Sequence, residues 1–292
     1  MTTKINFNGI LQDRVLISAL DHGFLFGDSV YEVLCTYNSK PCFLNLHLNR
    51  LRNSASAIYL DIPWDDNRFR EEIDKTIQLA NNKDSYIRIV VTRGEGEIDI
   101  DPATCKQPNV LIYVKSAKIY PIEDYFGGIH VALVNVKRNS KEALNPEIKT
   151  GNYLNNVLAK MEAIRIGAND ALMLNNWGKI AEGTTSNFFW IRDGRIRTPS
   201  LECGILSGIT REIIIELAKK NGIIVEEGEW EKEELVGIDE AFLTGTIKRI
   251  MPVSRLNGIV IGSGKPGSIT RKLMSLYETN LENNSGESFF NK

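Results

Sequence analysis

The sequence predicts an α/β or α+β protein of two domains, a smaller N-terminal one and a larger C-terminal one. Three observations carry this. Segments rich in β-branched residues alternate with helical stripes along most of the chain. The 292 residues are about twice a common domain length of ~150. A proline- and glycine-bearing stretch without periodicity, around residues 121–128, interrupts the pattern. The predicted division is therefore residues 1–120, a linker at 121–128, and residues 129–292.

Taken in order, Leu44, Leu48, Leu51, Ala55 and Ile58 recur every three or four residues and predict a helix, with Arg50 and Arg52 off its apolar stripe. Phe69, Ile73, Ile77 and Ala80 predict a second helix. Tyr86–Thr92 and Val110–Lys115 are β-branched runs and predict strands. The charges, glycines and proline of Arg93–Pro102 predict a loop between them. In the second half, Ile129–Val136 predicts a strand. Tyr153–Ile166 predicts a helix stopped by Gly167. Asn176-Trp177-Gly178, Asp193-Gly194 and Asn257-Gly258 are hairpin signals. Ser207–Lys220 predicts a helix ended by Asn221-Gly222, and the polar Asn283–Lys292 predicts a frayed end.

Composition narrows the function classes. Lys plus Arg is 35 and Asp plus Glu 37, a net charge of −2, which excludes a nucleic-acid binder driven by global charge and a polybasic membrane anchor. No apolar run is long enough to span a membrane, and Met1–Gly9 lacks the apolar core of a signal peptide. A cytoplasmic protein is expected. The cysteines, Cys35, Cys42, Cys105 and Cys203, form no CxxC pair and predict idle thiols. His22, His47 and His130 are far apart, so no metal site is expected.

Few residues stand out chemically on local grounds. Ile205–Arg211 (ILSGITR) precedes an amphipathic helix. Its glycine and Thr210 suit either a phosphate cradle at a helix start or an ordinary cap. Glu182, among the small and hydroxyl residues of Ile180–Asn187, suits a cationic ligand group or a turn. Nothing local separates Lys149 from a solvated lysine, or Arg50 from a surface arginine.

In combination these segments resemble a known family. Asp21–Asp28 (DHGFLFGD), HLNRL around Arg50, EIKTGNYLNNVLAK around Lys149, AEGTTSN, LSGITRE, FLTGT and Gly264–Gly267 match the class IV pyridoxal-phosphate aminotransferases in order and spacing. That group, fold type IV, holds branched-chain aminotransferases, D-amino-acid aminotransferases and aminodeoxychorismate lyases. The resemblance covers nearly the whole chain. It implies pyridoxal 5'-phosphate held between the two domains, Lys149 as the catalytic amine of the internal aldimine, and Glu182 facing the pyridine nitrogen. It implies Arg50, Ile209, Thr210 and Thr246 at the phosphate, Leu206 against the ring, Tyr153 near O3′, and Thr185 on the Glu182 turn.

For the substrate, Tyr86-Ile87-Arg88 resembles the YIR motif of the branched-chain enzymes, with Tyr86 at the α-carboxylate, Arg88 at the distal carboxylate of glutamate and Tyr31 as a pocket wall. The resemblance implies transfer from L-branched-chain amino acids to 2-oxoglutarate by ping-pong half-reactions, in a homodimer or higher oligomer. No Arg or His occurs between Gly94 and Ile100, where the D-amino-acid enzymes use both. Branched-chain enzymes usually follow TGT with small residues and a Glu. Here Ile247-Lys248-Arg249 stands there, which puts Ile247 at the substrate carboxylate. Asn187–Leu206 also resembles the lyase branch, so aminodeoxychorismate lyase and D-amino-acid transamination are the alternatives. A non-catalytic cofactor-binding protein is a third, against which the presence of both Lys149 and Glu182 speaks.

Overall fold

The structure, a computed structural model, describes residues 3–118 and 120–284. Of Asn283–Lys292, only Asn283 and Asn284 fall within it, as the last residues of a helix; the others lie outside the described residues. Two compact units emerge. Among the described residues, the first holds 3–118, 148–152 and 281–284, and the second holds 120–147 and 153–280.

The first unit is built from strands β1 (Lys4–Phe7) and β2 (Ile10–Gln12), helix α1 (His22–Leu25), strands β3 (Ser29–Tyr37) and β4 (Lys40–Pro41), helices α2 (Leu44–Ala57) and α3 (Asp66–Ala80), and strands β5 (Ser85–Thr92) and β6 (Asn109–Ser116). Its six strands form one sheet in the order β2-β1-β6-β5-β3-β4, with every pairing antiparallel. Strand alternation sorts the side chains. Ile87, Ile89 and Val91 join Leu34, Ile112 and Val114 in a core shared with Leu48, Leu51, Phe69 and Ile73 of the two long helices. Tyr86 and Arg88 stand on the opposite face from Ile87. α3 opens where the Asp65 carboxylate accepts the Arg68 N–H at 2.8 Å and ends at Asn81 in the left-handed region.

Lys149 joins this unit through its backbone. β4 pairs only with Thr36 and Tyr37 of β3. Along the other half of that edge, the Tyr31 N–H donates to the Lys149 carbonyl at 3.0 Å and the Gly151 N–H to the Ser29 carbonyl at 2.9 Å, with Val30 opposite Thr150. A short piece of chain expected in the second domain is thus a strand partner in the first.

The second unit comprises α4 (Ile122–Gly127), β7 (Ile129–Leu133), α5 (Lys141–Leu144), α6 (Leu154–Arg165), β8 (Asp170–Leu174), β9 (Ile180–Gly183), β10 (Asn187–Arg192), β11 (Arg195–Pro199), α7 (Ile209–Lys220), β12 (Val225–Gly228), β13 (Glu240–Gly245), β14 (Arg249–Leu256), β15 (Ile259–Val260) and, as far as Asn280, α8 (Ser268–Asn284). Its strands run in the order β12-β11-β10-β13-β14-β7-β8-β9, with β15 on β14. A pairing of Glu182 with Asn187 joins β9 back to β10. The three glycine turns join β8–β9, β10–β11 and β14–β15 as antiparallel pairs.

The expected linker is mostly helical. Residues 122–127 form α4, which starts at Pro121 and ends at Gly128, whose φ is +72°. Tyr120 and Tyr125 pack on the core of Val131, Leu243 and Met251. That apolar anchoring is why the stretch is a docked helix rather than a tether.

Candidate active site

In the first unit, Lys149 stands beside residues of α2 and β3. Its N–H donates to the Ser54 hydroxyl of α2 at 3.1 Å, and its Nζ lies 4.5 Å from the centre of the Tyr31 ring. The Arg88 guanidinium lies over the same ring at 4.0 Å. No carboxylate pairs with Arg88 among the described residues. Tyr113, opposite Arg88 on β6, has its phenol pushed to a higher pKa by burial. Tyr86 lies opposite Lys115, whose Nζ is 4.8 Å from the Tyr86 ring centre. Lys149 and Arg88 therefore each contact the Tyr31 ring, and Tyr86 stands two residues from Arg88 on the same strand face.

Arg50 is not a solvated surface arginine. Its Nε donates to Glu32 Oε1 at 2.6 Å and its Nη2 to Oε2 at 2.9 Å, with the side chain 13% exposed. The His47 Nδ1–H donates to the same carboxylate at 2.7 Å. Burial opposes ionisation of Glu32, yet Arg50 and His47 hold its carboxyl far below the usual carboxylate range. Burial likewise pushes the His47 imidazole down, against the pull of Glu32, and the charge of Lys149 acts in the same downward sense. His47 Nε2 is buried without a hydrogen-bond partner among the described residues. Glu32 and His47 were not singled out by the sequence. The available signal was an acid inside the apolar run of β3 and a histidine one helical turn before Arg50.

In the second unit, the Glu182 carboxylate is the hub. Its Oε1 accepts from Arg138 Nε at 2.8 Å, and its Oε2 from the Leu206 N–H at 3.0 Å and from Asn187 Nδ2 at 3.4 Å. A carboxylate has about four acceptor positions, so there is capacity for one more donor. The Leu206 carbonyl accepts from the same Asn187 amide at 2.8 Å, which fixes both ends of that residue. The chain then passes over Asn187 so closely that a Cβ at position 208 would lie 2.0 Å from its Oδ1, so only glycine fits. Gly208 caps α7 without a side-chain hydrogen bond. The first-turn N–H groups of Ile209 and Thr210 have no acceptor within the helix, and the dipole there is positive, which makes an anion site.

Thr185 and Thr246 lie on two adjoining turns. Lys248 Nζ, next along from Thr246 and Ile247, is 3.2 Å from the Thr185 hydroxyl. Tyr153 is the N-cap residue of α6 and makes no capping bond with its side chain. Arg138 and Asn187 were missed by the sequence reading. Asn187 sits inside the AEGTTSN motif, while Arg138, in a polar loop after β7, carries no local signal.

The chain matches the family model for amino-transferase class IV over residues 29–256. It is 37% identical to a putative branched-chain-amino-acid aminotransferase of Methanocaldococcus jannaschii, over 94% of this chain and 95% of that protein. It is 32% identical to an aminodeoxychorismate lyase of Bacillus subtilis, over 96% of this chain and 94% of that one. The crystal structure of the Escherichia coli branched-chain amino acid aminotransferase superposes with a TM-score of 0.91 at 28% identity, covering 99% of this chain and 96% of that one. No helix among the described residues is long and apolar enough to cross a membrane. With its family match spanning both units and its structural likeness running the full length, the chain belongs to the class IV aminotransferases, enzymes of fold type IV that work with pyridoxal phosphate.

Proposed function

We propose that this enzyme transfers the amino group of L-branched-chain amino acids to 2-oxoglutarate, with pyridoxal 5'-phosphate carried on Lys149. The observation that carries the reading is Arg88. A cation on a sheet face, lacking a carboxylate partner among the described residues and stacked on the ring that also neighbours Lys149, suits a substrate that brings its own distal carboxylate. A guanidinium carries five N–H donors, more than one ring face can take up. Glutamate can pair there, and leucine can lie against the Tyr31 ring instead.

The residues present fit the cofactor. Glu182 has an acceptor position to spare, and the glycine-capped start of α7 offers unsatisfied N–H groups to a phosphate. When bound, pyridoxal phosphate supplies a carbonyl carbon for the amine and a ring that accepts the electron pair released at Cα. Glu182 holds the proton on the ring nitrogen. Arg50, oriented by Glu32, is the candidate phosphate ligand of the first unit, and Ile209, Thr210 and Thr246 are those of the second. Leu206, with both its backbone groups pinned, presses on the ring. Tyr153 contacts O3′, and Thr185 sits on the Glu182 turn. Lys149 Nζ takes the proton from substrate Cα and returns it during the exchange of amine and ketone. Tyr86 and the backbone at Ile247 hold the α-carboxylate.

We also propose a homodimer. The face of α6 formed by Leu154, Val157, Leu158, Met161 and Ile164 is exposed and apolar, which a second copy of the chain would cover.

A panel of single half-reactions, followed by cofactor absorbance, tests the substrate reading. Leucine, isoleucine and glutamate of the L series should be fastest. Faster reaction with D-alanine or D-glutamate would overturn the stereochemistry. Release of p-aminobenzoate and pyruvate from aminodeoxychorismate, without an acceptor, would favour the lyase chemistry named for the Bacillus subtilis relative.

A further inference from the structure

Two turns of the second unit meet at one end of its sheet. Asn187, the first residue of β10, pairs with Glu182 of β9 on one side and with Thr244 of β13 on the other. The turn Thr184–Ser186 follows β9, and the hairpin turn Thr246–Lys248 follows β13. The two therefore emerge side by side. Their approach is close, since a Cβ at Gly245 would lie 3.2 Å from the Thr185 carbonyl oxygen.

Lys248 spans them. Its Nζ pairs with Asp170 Oδ2 and lies 3.2 Å from the Thr185 hydroxyl and 3.4 Å from the Ser186 hydroxyl. Asp170, 2% exposed at the start of β8, also accepts from the Thr184 hydroxyl at 2.5 Å. One buried carboxylate thus anchors both turns, and the ammonium of Lys248 is the link from the hairpin.

Two further contacts fix the hairpin. The Tyr125 hydroxyl donates to the Lys248 carbonyl at 3.2 Å. Burial pushes the phenol up to about 12, so it stays a donor at any physiological pH. Arg249, opposite Gly245, has a φ of +54°, the left-handed residue that closes a three-residue hairpin. A residue other than glycine there is strained, and Arg249 is held by Glu278 at 2.5 Å. This turn is thus held at two consecutive side chains and one carbonyl, and its conformation is locally costly.

We infer that Lys248 is a positioning residue: by tying the hairpin turn to the Thr184–Ser186 turn, it sets where the backbone of Thr246 and Ile247 meets the substrate carboxylate. The inference rests on the transaminase reading above. It also accounts for how Ile247 can stand where branched-chain enzymes carry a small residue, because the turn is steered by its neighbours rather than by the size of its own side chain.

The test uses the holoenzyme. Lys248→Met keeps the aliphatic stem and removes the link. With whichever amino donor the wild type uses fastest, its KM should rise about ten-fold, the order of one charge-assisted hydrogen bond, while kcat changes much less. The dissociation constant for 4-methylvalerate, an unreactive carboxylate measured by calorimetry, should rise by the same factor. Lys248→Arg should restore most of both. A Lys248→Met enzyme with wild-type KM overturns the inference, as does one in which only kcat and melting temperature fall. Should that variant not fold, Tyr125→Phe decides: it keeps the ring, removes one bond to the same turn, and should raise KM in the same sense. An unchanged KM there also refutes the inference. A wild type that prefers a D-amino acid sinks the substrate reading alone, because the comparison is made with its own best donor.

Discussion

Replacing Arg88 with Met separates the two substrates that one pocket must accept. The side chain contributes two interactions of different kinds. Its guanidinium lies 4.0 Å from the Tyr31 ring centre, a contact worth about 0.5–2 kcal/mol. This contact belongs to the enzyme whichever substrate is bound, so its loss cancels when substrates are compared. The second is the proposed pairing with the γ-carboxylate of glutamate, a charge-assisted bond worth roughly 1.5–3 kcal/mol. Leucine makes no such bond. Arg88→Met should therefore lower kcat/KM for glutamate about ten- to hundred-fold more than for leucine, by the usual 1.4 kcal/mol per decade. The methionine stem still covers Tyr31, so the apolar wall that leucine uses survives. The assay is the pre-steady-state half-reaction with each amino acid over a concentration series, in wild type and variant. Equal losses for both would show that Arg88 supports the sheet face or the α-carboxylate, and the pocket argument would fail.

Borohydride treatment of the holoenzyme should fix the cofactor to the peptide containing Lys149, and mass spectrometry finding it on another lysine would remove Lys149 from its role. Glu182→Gln should lower turnover by weakening the hold on the ring-nitrogen proton, and should also lower the melting temperature, because its one amide oxygen can replace Oε1 toward Arg138 or Oε2 toward the Leu206 N–H but not both; an unaltered rate in the folded variant would assign that proton to another group. Glu32, whose folded pKa is depressed, stabilises the fold above its ordinary carboxylate range, and that stability drains as pH falls below about 4.5. His47, also depressed, adds a loss in the same direction from about pH 6.5 downward, so urea midpoints should fall on acidification through both ranges. Glu32→Gln, which strands Arg50 and His47, should cost about 3–5 kcal/mol at neutral pH and flatten the acid limb below 4.5; a midpoint unchanged from wild type would refute the coupling. Light scattering of the active enzyme should give a dimer or larger, and an active monomer would contradict the reading of the exposed face of α6.

Periodicity made the regular elements legible where one face is apolar and the other polar. The stripes of α2 and α3, the β-branched runs of β5 and β6, and the three glycine turns all appear where the sequence placed them. α7 begins at Ile209 rather than Ser207, because the chain at Leu206–Gly208 is held extended over Asn187. β7 ends at Leu133, short of the expected Val136. The helix at 122–127 was hidden because its six residues make fewer than two turns, too short to show a period. The division of the chain was hidden for a different reason. Whether Lys149 belongs with the residues before or after it depends on which strand edge lies open, and the half-length β4 leaves that edge on β3.

The same limit explains the candidate site. Residues that would touch the cofactor carry signals, because a phosphate asks for a glycine and free N–H groups, and a pyridine nitrogen asks for a carboxylate among small residues. Residues that orient them do not, because any chain segment can deliver an arginine or an asparagine to a buried carboxylate. Arg138 reaches Glu182 from 44 positions away and Glu32 reaches Arg50 from 18. Each of these carboxylates is buried, and a lone buried charge costs several kcal/mol unless it is met by opposite charge and hydrogen bonds. An acid in an apolar strand thus obliges a partner without naming it. That obligation is the legible part: Glu32 within VYEVL and Glu182 within IAEGT each announce that a cation must arrive, and the fold supplies Arg50 to one, with the His47 N–H as a further donor, and Arg138 to the other. Arg88 is the reverse case, a half-buried cation to which the described residues bring no acid, and by the same reasoning its counter-charge arrives with the substrate.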